Sequence, residues 1–163
     1  MATRDAERDL VAALIAISED RFPVPLLDDA GIRELLRSGP RIALVGASSN
    51  PARPSHGVMR SLRQAGYDVV AVNPREAAID GQPCYPTVAD AVAATWRVDI
   101  VDVFRRADLC VEHAREAVAV GARCLWLQLG IANEEAGRIA HAAGLAVVMD
   151  RCTIVEHRRL AAA

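Results

Sequence analysis

The sequence predicts an α/β protein with a doubly wound, mainly parallel sheet and helices on both faces. Short apolar runs of strand length alternate with amphipathic segments of helix length from residue 41 onward. This alternation is typical of βαβ units, whose right-handed crossovers distribute helices over both faces of the sheet. A polar, glycine-containing loop follows the first strand, where folds of this class hold their ligands.

The stretch from Arg41 to Gly57 carries the strongest local pattern. Residues 42–45 form an apolar run that is long enough for a buried strand and too short for a helix. Gly46 is expected to let the backbone approach a ligand closely, and Ser55 is the predicted N-cap of the next helix. Unpaired N–H groups and the helix dipole then predict a phosphate-binding loop. The alternative is an ordinary βα turn whose serine and asparagine only satisfy backbone groups.

The other elements follow the same alternation in chain order. An amphipathic helix is expected over residues 1–18, with its apolar stripe at Leu10, Val11, Leu14 and Ile15. An extended connector and a helix capped by Asp28 or Asp29 lead to the first strand, at 41–46. Further strands are predicted at 68–73, 83–86 (a short edge strand after a tight turn at Asp80-Gly81), 98–104, 123–128 and 145–149, and further helices at 55–65, 88–94, 107–120 and 134–143.

Length and composition fit one domain with a sizeable core of small aliphatic residues, because 52% of the 163 residues are hydrophobic and only 4% aromatic. We expect a helical extension and linker (1–27), a sheet domain (28–160) and a native or vector-derived tail (161–163). A net charge of −2 argues against a general nucleic-acid or membrane-surface binder. Without a signal peptide or a membrane-spanning run, a cytoplasmic protein with reduced thiols is expected.

Basic residues cluster where the predicted strands end. Five arginines follow strand carboxyl ends, namely Arg53, Arg75, Arg105, Arg106 and Arg151, against one aspartate, Asp150. Carboxyl ends of parallel strands share one edge, so a basic edge suited to a polyanionic small molecule is expected, since arginine binds phosphate bidentately. Asn73-Pro74-Arg75 stands where NAD sites carry an acid, which favours a ligand with an extra ribose phosphate such as NADP or coenzyme A.

Six segments between about Ile32 and Leu160 carry a family resemblance. They are VGASSNPARPSHGV, AVNPR, CYPTVAD, VDIVDVFRR, WLQLGIANEEA and VVMDRCTIVEHRRL. In this order they closely resemble the small bacterial CoA-binding proteins and, more distantly, the CoA-binding domain of the succinyl-CoA synthetase α subunit. The resemblance implies a Rossmann-like fold with coenzyme A as ligand.

The resemblance also implies residue roles. Those expected to line the phosphates are Gly46, Ala47, Ser48, Asn50, Arg53 and Ser55, with Asn73, Pro74 and Arg75 near the ribose phosphate and Phe104 and Arg105 beside the adenosine or pantetheine part. Other residues after strand ends complete the predicted site: Arg106, Gln128, Gly130 and Cys152.

No catalytic set or metal-ligand spacing accompanies this site, so we expect binding of CoA or an acyl-CoA without autonomous catalysis. The phosphorylated histidine of the synthetases lies in a second domain, for which this chain is expected to have no room. One alternative is an NADP-dependent oxidoreductase, against which the chain lacks a substrate domain and a Tyr-Lys pair. Another is a CoA-sensing module for a partner such as an acyl-transfer enzyme. A monomer or weak homodimer is expected.

Several single residues have competing interpretations. His56 is expected either to touch a phosphate or to be exposed in the first helical turn, and His113 and His141 to be surface or half-buried residues. His157 is expected to pack against the last strand. Cys152 is interpreted as a structural thiol, with a mixed disulfide to the CoA thiol as the alternative. The buried set is expected to include Cys84, Cys110, Cys124 and Trp126.

Overall fold

The computed structural model describes residues 3–162, which contain one seven-stranded sheet and helices on both of its faces. The strands are β1 Arg41–Val45, β2 Asp68–Val72, β3 Ala78–Ile79, β4 Gln82–Tyr85, β5 Ile100–Val103, β6 Cys124–Leu127 and β7 Ala146–Val148. The helices are α1 Arg4–Ser18, α2 Asp29–Arg37, α3 Pro54–Gln64, α4 Val88–Thr95, α5 Cys110–Ala119, α6 Glu134–Ala142 and α7 Thr153–Glu156, with a 3-10 turn at Ala107–Leu109 and a π-helical turn at His157–Ala161. None of these helices within residues 3–162 is long and apolar enough to cross a membrane.

The sheet has the strand order β3-β4-β2-β1-β5-β6-β7. Every neighbouring pair is parallel except β3 and β4, so the predicted doubly wound, mainly parallel sheet is confirmed. The chain runs from β1 outward through β2 and β4, and then returns to the other side of β1 at β5. The strand order therefore reverses between β1 and β5, which is where such sheets open a crevice for a ligand.

Both faces of the central strands are buried, so β1 contributes to two separate cores. Ala43 and Val45 pack in a core with α4, α5 and α6, whereas Ile42 and Leu44 pack in a second core with α2 and α3. This division follows from the two-residue period of a strand. Burial on both faces explains the continuous apolar runs in the sequence.

Helix α1 packs with a different stripe from the one predicted. Leu10 and Leu14 contact the core as expected, but the other two residues of the packed stripe are Ala13 and Ile17. Val11 and Ile15 are 55% and 44% exposed. The reason is the helical period, since positions 10, 13, 14 and 17 share one face. The first two residues of the predicted helix lie outside the described residues.

The hairpin after β2 corrects the predicted edge strand at 83–86. Asp80 and Gly81 form the predicted tight turn, with φ values of 51° and 76°, as two-residue hairpin turns require. This turn joins β4 to the two-residue strand β3, which the sequence analysis missed. Strand β4 therefore lies between β2 and β3, not at the sheet edge.

The C-terminal helical turns were also missed. Leu160 is buried against α2, and Arg159 makes a bidentate ion pair with Asp29 at 2.6 and 2.8 Å. The predicted packing of His157 on the last strand is wrong, because its Nδ1 lies 2.7 Å from the hydroxyl of Tyr67, just before β2, and β1, β5 and β6 separate β2 from β7. The segment has no side-chain N-cap and only one turn of α-helix, so it carries little helix pattern. Of the expected tail, Ala161 belongs to the π-helical turn, and Ala163 lies outside the described residues.

Candidate functional site

The carboxyl edge, as we call it, comprises the segments after β1, β2, β5, β6 and β7, at 46–53, 73–76, 104–106, 128–130 and 150–152. Gly46 opens the first of these with φ +86°. A Cβ atom at this position would lie 2.5 Å from the carbonyl oxygen of Phe104. The close approach of β1 to the backbone after β5 therefore requires a glycine here whatever the ligand, and the predicted contact of Gly46 with a ligand stays a prediction.

The β1–α3 loop is built from local side-chain hydrogen bonds. The Ser48 hydroxyl accepts from the Asn50 N–H at 3.1 Å, and the Asn50 Oδ1 accepts from the Ala52 N–H at 3.0 Å. Such turns are the usual role of serine and asparagine in loops. The hydrogen bonds of the alternative interpretation, in which serine and asparagine satisfy backbone groups of the βα turn, are thus present. They fix the course of the loop toward α3.

The start of α3 differs from the prediction. Pro54 is the first helical residue, Arg53 stands at the N-cap, and no side chain among the described residues caps it. Ser55 is buried inside the first turn, so the predicted N-cap at Ser55 is wrong. Proline at the first position supplies a preset φ and lacks an N–H, which favours a helix start at Pro54, with the N-cap two residues before the predicted one. Within residues 3–162, the free N–H groups at the start of α3 therefore have no side-chain acceptor.

The β2–β3 loop is tied to the β1–α3 loop by Asn73. Its Nδ2 donates to the Ala47 carbonyl at 2.8 Å, and its Oδ1 accepts from the Arg75 N–H at 2.8 Å. Ala47 itself is fully buried, whereas Pro74 and Arg75 are exposed. Asn73 therefore positions the backbone of Arg75 at the carboxyl edge.

Two residues of this edge were absent from the predicted site. The Ser49 N–H donates to the Glu76 carboxylate at 2.9 and 3.2 Å, and the Ser49 hydroxyl donates to it as well. The parallel pairing of β1 and β2 brings the two loops together. The sequence signal available was the place of Glu76 four residues after β2, next to a loop with free N–H groups.

The arginines of the carboxyl edge are not equivalent. Arg106 is bound bidentately by Asp108 at 3.1 Å, and Arg151 lies 3.3 Å from Glu156. Arg53, Arg75 and Arg105 have no acidic partner within residues 3–162. Five unpaired arginines were expected at this edge, and only three of them lack an acidic partner among the described residues.

The segment after β5 lies at the point where the strand order reverses. The Phe104 N–H donates to the Val45 carbonyl at 2.8 Å, so the β5 end is held against the β1 end. The Arg105 Cδ would lie 3.3 Å from a Cβ at Gly46. Phe104 and Arg105 are both half-buried, beside the crevice between the two strands.

Gln128 lies beneath the carboxyl edge, because it is only 4% exposed. Its Nε2 donates to Asp102 at 2.7 Å and to Thr153 at 3.0 Å, and the Thr153 hydroxyl donates to Asp102 at 3.0 Å. Gly130 stays at the surface and donates its N–H to Asp150 at 2.7 Å. Gln128 thus joins the ends of β5 and β6 to α7 from below.

Cys152 is a half-buried free thiol that precedes α7 without a side-chain capping bond. The other three cysteines are buried, and Trp126 is fully buried, as predicted. His141 is exposed, as predicted. The prediction for His113 is wrong, because it is buried with its Nδ1 2.7 Å from Glu116. For His56 the exposed alternative is wrong, because it is buried with its Nε2 3.2 Å from Asp80, and the contact with a phosphate stays a prediction.

A cleft of about 800 Å³ between α1 and the start of α6 contains none of the predicted site residues. Its charged lining consists of Asp9, Arg21, Asp108, Glu134, Glu135 and Arg138. Four carboxylates against two guanidinium groups oppose a polyanion, so the carboxyl edge is the better location for one.

The strand order and the helices on both faces define a Rossmann-like α/β domain, with the β1–α3 loop at its topological switch point. A family model described as a CoA binding domain matches residues 40–158 of this sequence. The chain belongs to this CoA-binding domain family.

The chain is similar to small proteins over most of their length and to one part of a larger synthetase. The uncharacterized protein YneT of Bacillus subtilis (strain 168) is 38% identical over 78% of this chain and 93% of its own length. A hypothetical protein from Pyrococcus horikoshii OT3 has a TM-score of 0.78 and 41% identity, covering 82% of this chain and 92% of that one. Acetyl-coenzyme A synthetase 1 of Ca. Korarchaeum cryptofilum matches with a TM-score of 0.59 and 25% identity, covering 70% of this chain but 26% of the synthetase.

Replacing Gly46 by alanine is expected to destabilise the fold by more than about 1–2 kcal/mol, which is the cost of the left-handed backbone alone. The clash with Phe104 adds to that cost. Gly57→Ala is the matched control, because Gly57 lies in α3 with open space around its Cβ position. Urea unfolding of both variants measures the difference. Equal stability of Gly46→Ala and wild type would contradict the assigned packing.

Asp102 is expected to make stability depend on pH. Burial raises the pKa of the Asp102 carboxyl to about 7, against the hydrogen bonds from Gln128 and Thr153, which lower it. Between about pH 4 and 7 the folded protein binds a proton that the unfolded chain has released, so the free energy of unfolding falls as pH rises through this window. Denaturant titrations at several pH values should show the stability of wild type relative to Asp102→Asn declining from pH 4 to 7 and then levelling. Parallel profiles would show that Asp102 does not titrate there.

Proposed function

We propose that this protein binds coenzyme A, free or as an acyl thioester, at the carboxyl edge and without its own catalysis. The observation that carries the proposal, made within residues 3–162, is the joint presence, at one edge, of a helix N-terminus without a side-chain cap and of three arginines without acidic partners: Arg53, Arg75 and Arg105. Coenzyme A carries a pyrophosphate and a ribose 3′-phosphate, so its charge matches this edge. Membership of the CoA-binding domain family supports the same ligand.

The proposed pose follows from the placement of these groups. The pyrophosphate lies on the β1–α3 loop, where backbone N–H groups and the dipole of α3 favour an anion. The 3′-phosphate lies near Arg75, whose backbone is held by Asn73. Phe104 and Arg105 border the adenosine or pantetheine part at the switch point. Gly130 and Cys152 lie farther along the same edge.

Binding without catalysis is supported by the side chains of the edge. Within residues 3–162, no histidine lies at hydrogen-bond distance from a serine or cysteine side chain. His56, the histidine nearest the loop in sequence, faces Asp80 instead. A serine or cysteine activated by a histidine is therefore missing from the described edge.

Coenzyme A is expected to raise the melting temperature, whereas NAD is not. Ligand at 100 times its dissociation constant adds about 2.7 kcal/mol to the free energy of unfolding. For a chain of this length this corresponds to a shift of about 5–10 °C. Thermal scans with CoA, acetyl-CoA, NADP and NAD provide the measurement, and mass spectrometry of the co-purifying ligand complements them. A larger shift with NADP than with either CoA form would favour an oxidoreductase instead.

Arg75→Ala is expected to weaken CoA much more than dephospho-CoA, because these ligands differ only in the 3′-phosphate. A hydrogen bond to a charged group contributes about 1.5–3 kcal/mol, or about 10- to 150-fold in affinity. Since Arg75 is exposed, the lower limit is the better expectation. Calorimetry gives the affinity of wild type and Arg75→Ala for both ligands, and these four values form a thermodynamic cycle that isolates the contact between Arg75 and the 3′-phosphate.

Arg37→Ala is the matched control, since Arg37 is an exposed arginine at the end of α2, before the amino end of β1. It should leave both affinities unchanged. An unaltered ratio of CoA to dephospho-CoA affinity in Arg75→Ala would move the 3′-phosphate to Arg53 or Arg105.

A further inference from the structure

The β1–α3 loop already holds an anion that belongs to the protein itself. Glu76 places its carboxylate on the Ser49 backbone N–H, at 2.9 and 3.2 Å, and also accepts the Ser49 hydroxyl proton. Both donors lie in the loop that leads from β1 into the uncapped N-terminus of α3. A carboxylate and a phosphoryl oxygen use the same kind of donor, so they are competitors for it.

Hydrogen bonds hold the backbone on both sides of the contact between Glu76 and Ser49. Asn73 bonds the Ala47 carbonyl and the Arg75 N–H, so the backbone just before Ser49 and just before Glu76 is held. Glu76 itself is half-buried and Ser49 is exposed. The Glu76 side chain can therefore leave Ser49 by rotating its own torsions, while the backbone stays in place.

We propose that Glu76 is an internal competitor that occupies the Ser49 donors in the ligand-free protein and is displaced by a phosphoryl group of the ligand. This inference rests on the proposed function for the identity of the ligand. A carboxylate that remained on Ser49 would repel the incoming phosphate at a few ångströms, and the donors cannot serve both groups fully. Part of the binding free energy is therefore spent on displacing Glu76, and the affinity for CoA is lower than the donors alone would allow.

The exchange also links the two phosphate positions. Glu76 follows Arg75 directly, so displacement of the Glu76 side chain takes place next to the proposed 3′-phosphate contact. A ligand that carries only one anionic group must displace Glu76 without the compensating contact to Arg75. The competitor thus favours ligands with both a pyrophosphate and a 3′-phosphate over simple anions.

Three variants separate displacement from other roles of Glu76. Glu76→Gln removes the charge, and Glu76→Asp keeps the charge but shortens the reach to Ser49 by one methylene. Glu112→Gln removes an exposed charge in the first turn of α5, without contact to the β1–α3 loop, and is the charge-matched control. Calorimetry measures the affinity of wild type and all three variants for CoA. Pyrophosphate is titrated in parallel, because its binding to the loop does not depend on CoA being the ligand.

The expected result is that Glu76→Gln and Glu76→Asp both bind CoA about 3- to 10-fold more tightly than wild type, the range of one exposed hydrogen bond. Glu112→Gln should bind like wild type. Unchanged or weaker binding by Glu76→Gln would overturn the proposal, because Glu76 would then organise the loop. Tighter binding by Glu76→Gln with no change in Glu76→Asp would also overturn it, because long-range charge would then explain the effect.

The two proposals fail separately in this design. If wild type and all variants fail to bind CoA, the proposed function is wrong, and the same pattern measured with pyrophosphate decides the role of Glu76. If wild type binds CoA and the variants do not bind more tightly, the proposed function stands and the competition is wrong. Circular dichroism of each variant establishes that it is folded.

Discussion

The carboxyl edge depends on the close approach of Gly46 to the carbonyl of Phe104. This contact brings the ends of β1 and β5 together where the strand order reverses, and no side chain fits between them. The N–H of Phe104 bonds the Val45 carbonyl from the other side of the same junction. The contact sets where the β1–α3 loop begins and places Arg105 beside it, while the Ser48 and Asn50 turns and Pro54 set the rest of the path into α3. The fold therefore requires glycine at this position.

The carboxyl edge carries unpaired positive charge although the net charge of the protein is negative. The protein carries a formal charge of −2, yet three arginines of the carboxyl edge have no acidic partner within the described residues. Arg106 and Arg151 are held by acids instead. The ion-paired arginines stabilise loop and helix positions, whereas the others are available to a polyanion at little cost in folding free energy. Local pairing thus decides which arginines can serve a ligand.

A buried polar cluster supports the edge from below. Asp102, Gln128 and Thr153 bond one another and join β5, β6 and α7. Each member is buried, so the cluster is stable only when all three partners are in place. It fixes the start of α7, the turn that follows Cys152, and so determines where the last segment of the edge lies. Gln128 therefore shapes the site although it does not reach its surface.

The sequence by itself determined the class of fold, the family, and the features that rest on neighbouring residues. Asp28 caps its helix as predicted, and Thr87 and Asn133 cap theirs in the same way, because each capping bond joins residues only three positions apart. Burial on two faces likewise leaves continuous apolar runs that a sequence displays directly. Only the tertiary structure decided which arginines are paired, that Glu76 lies on Ser49, and that Gln128 is buried. These are contacts between segments that are distant in sequence, and they depend on strand order and register. Local propensity contains no information about either.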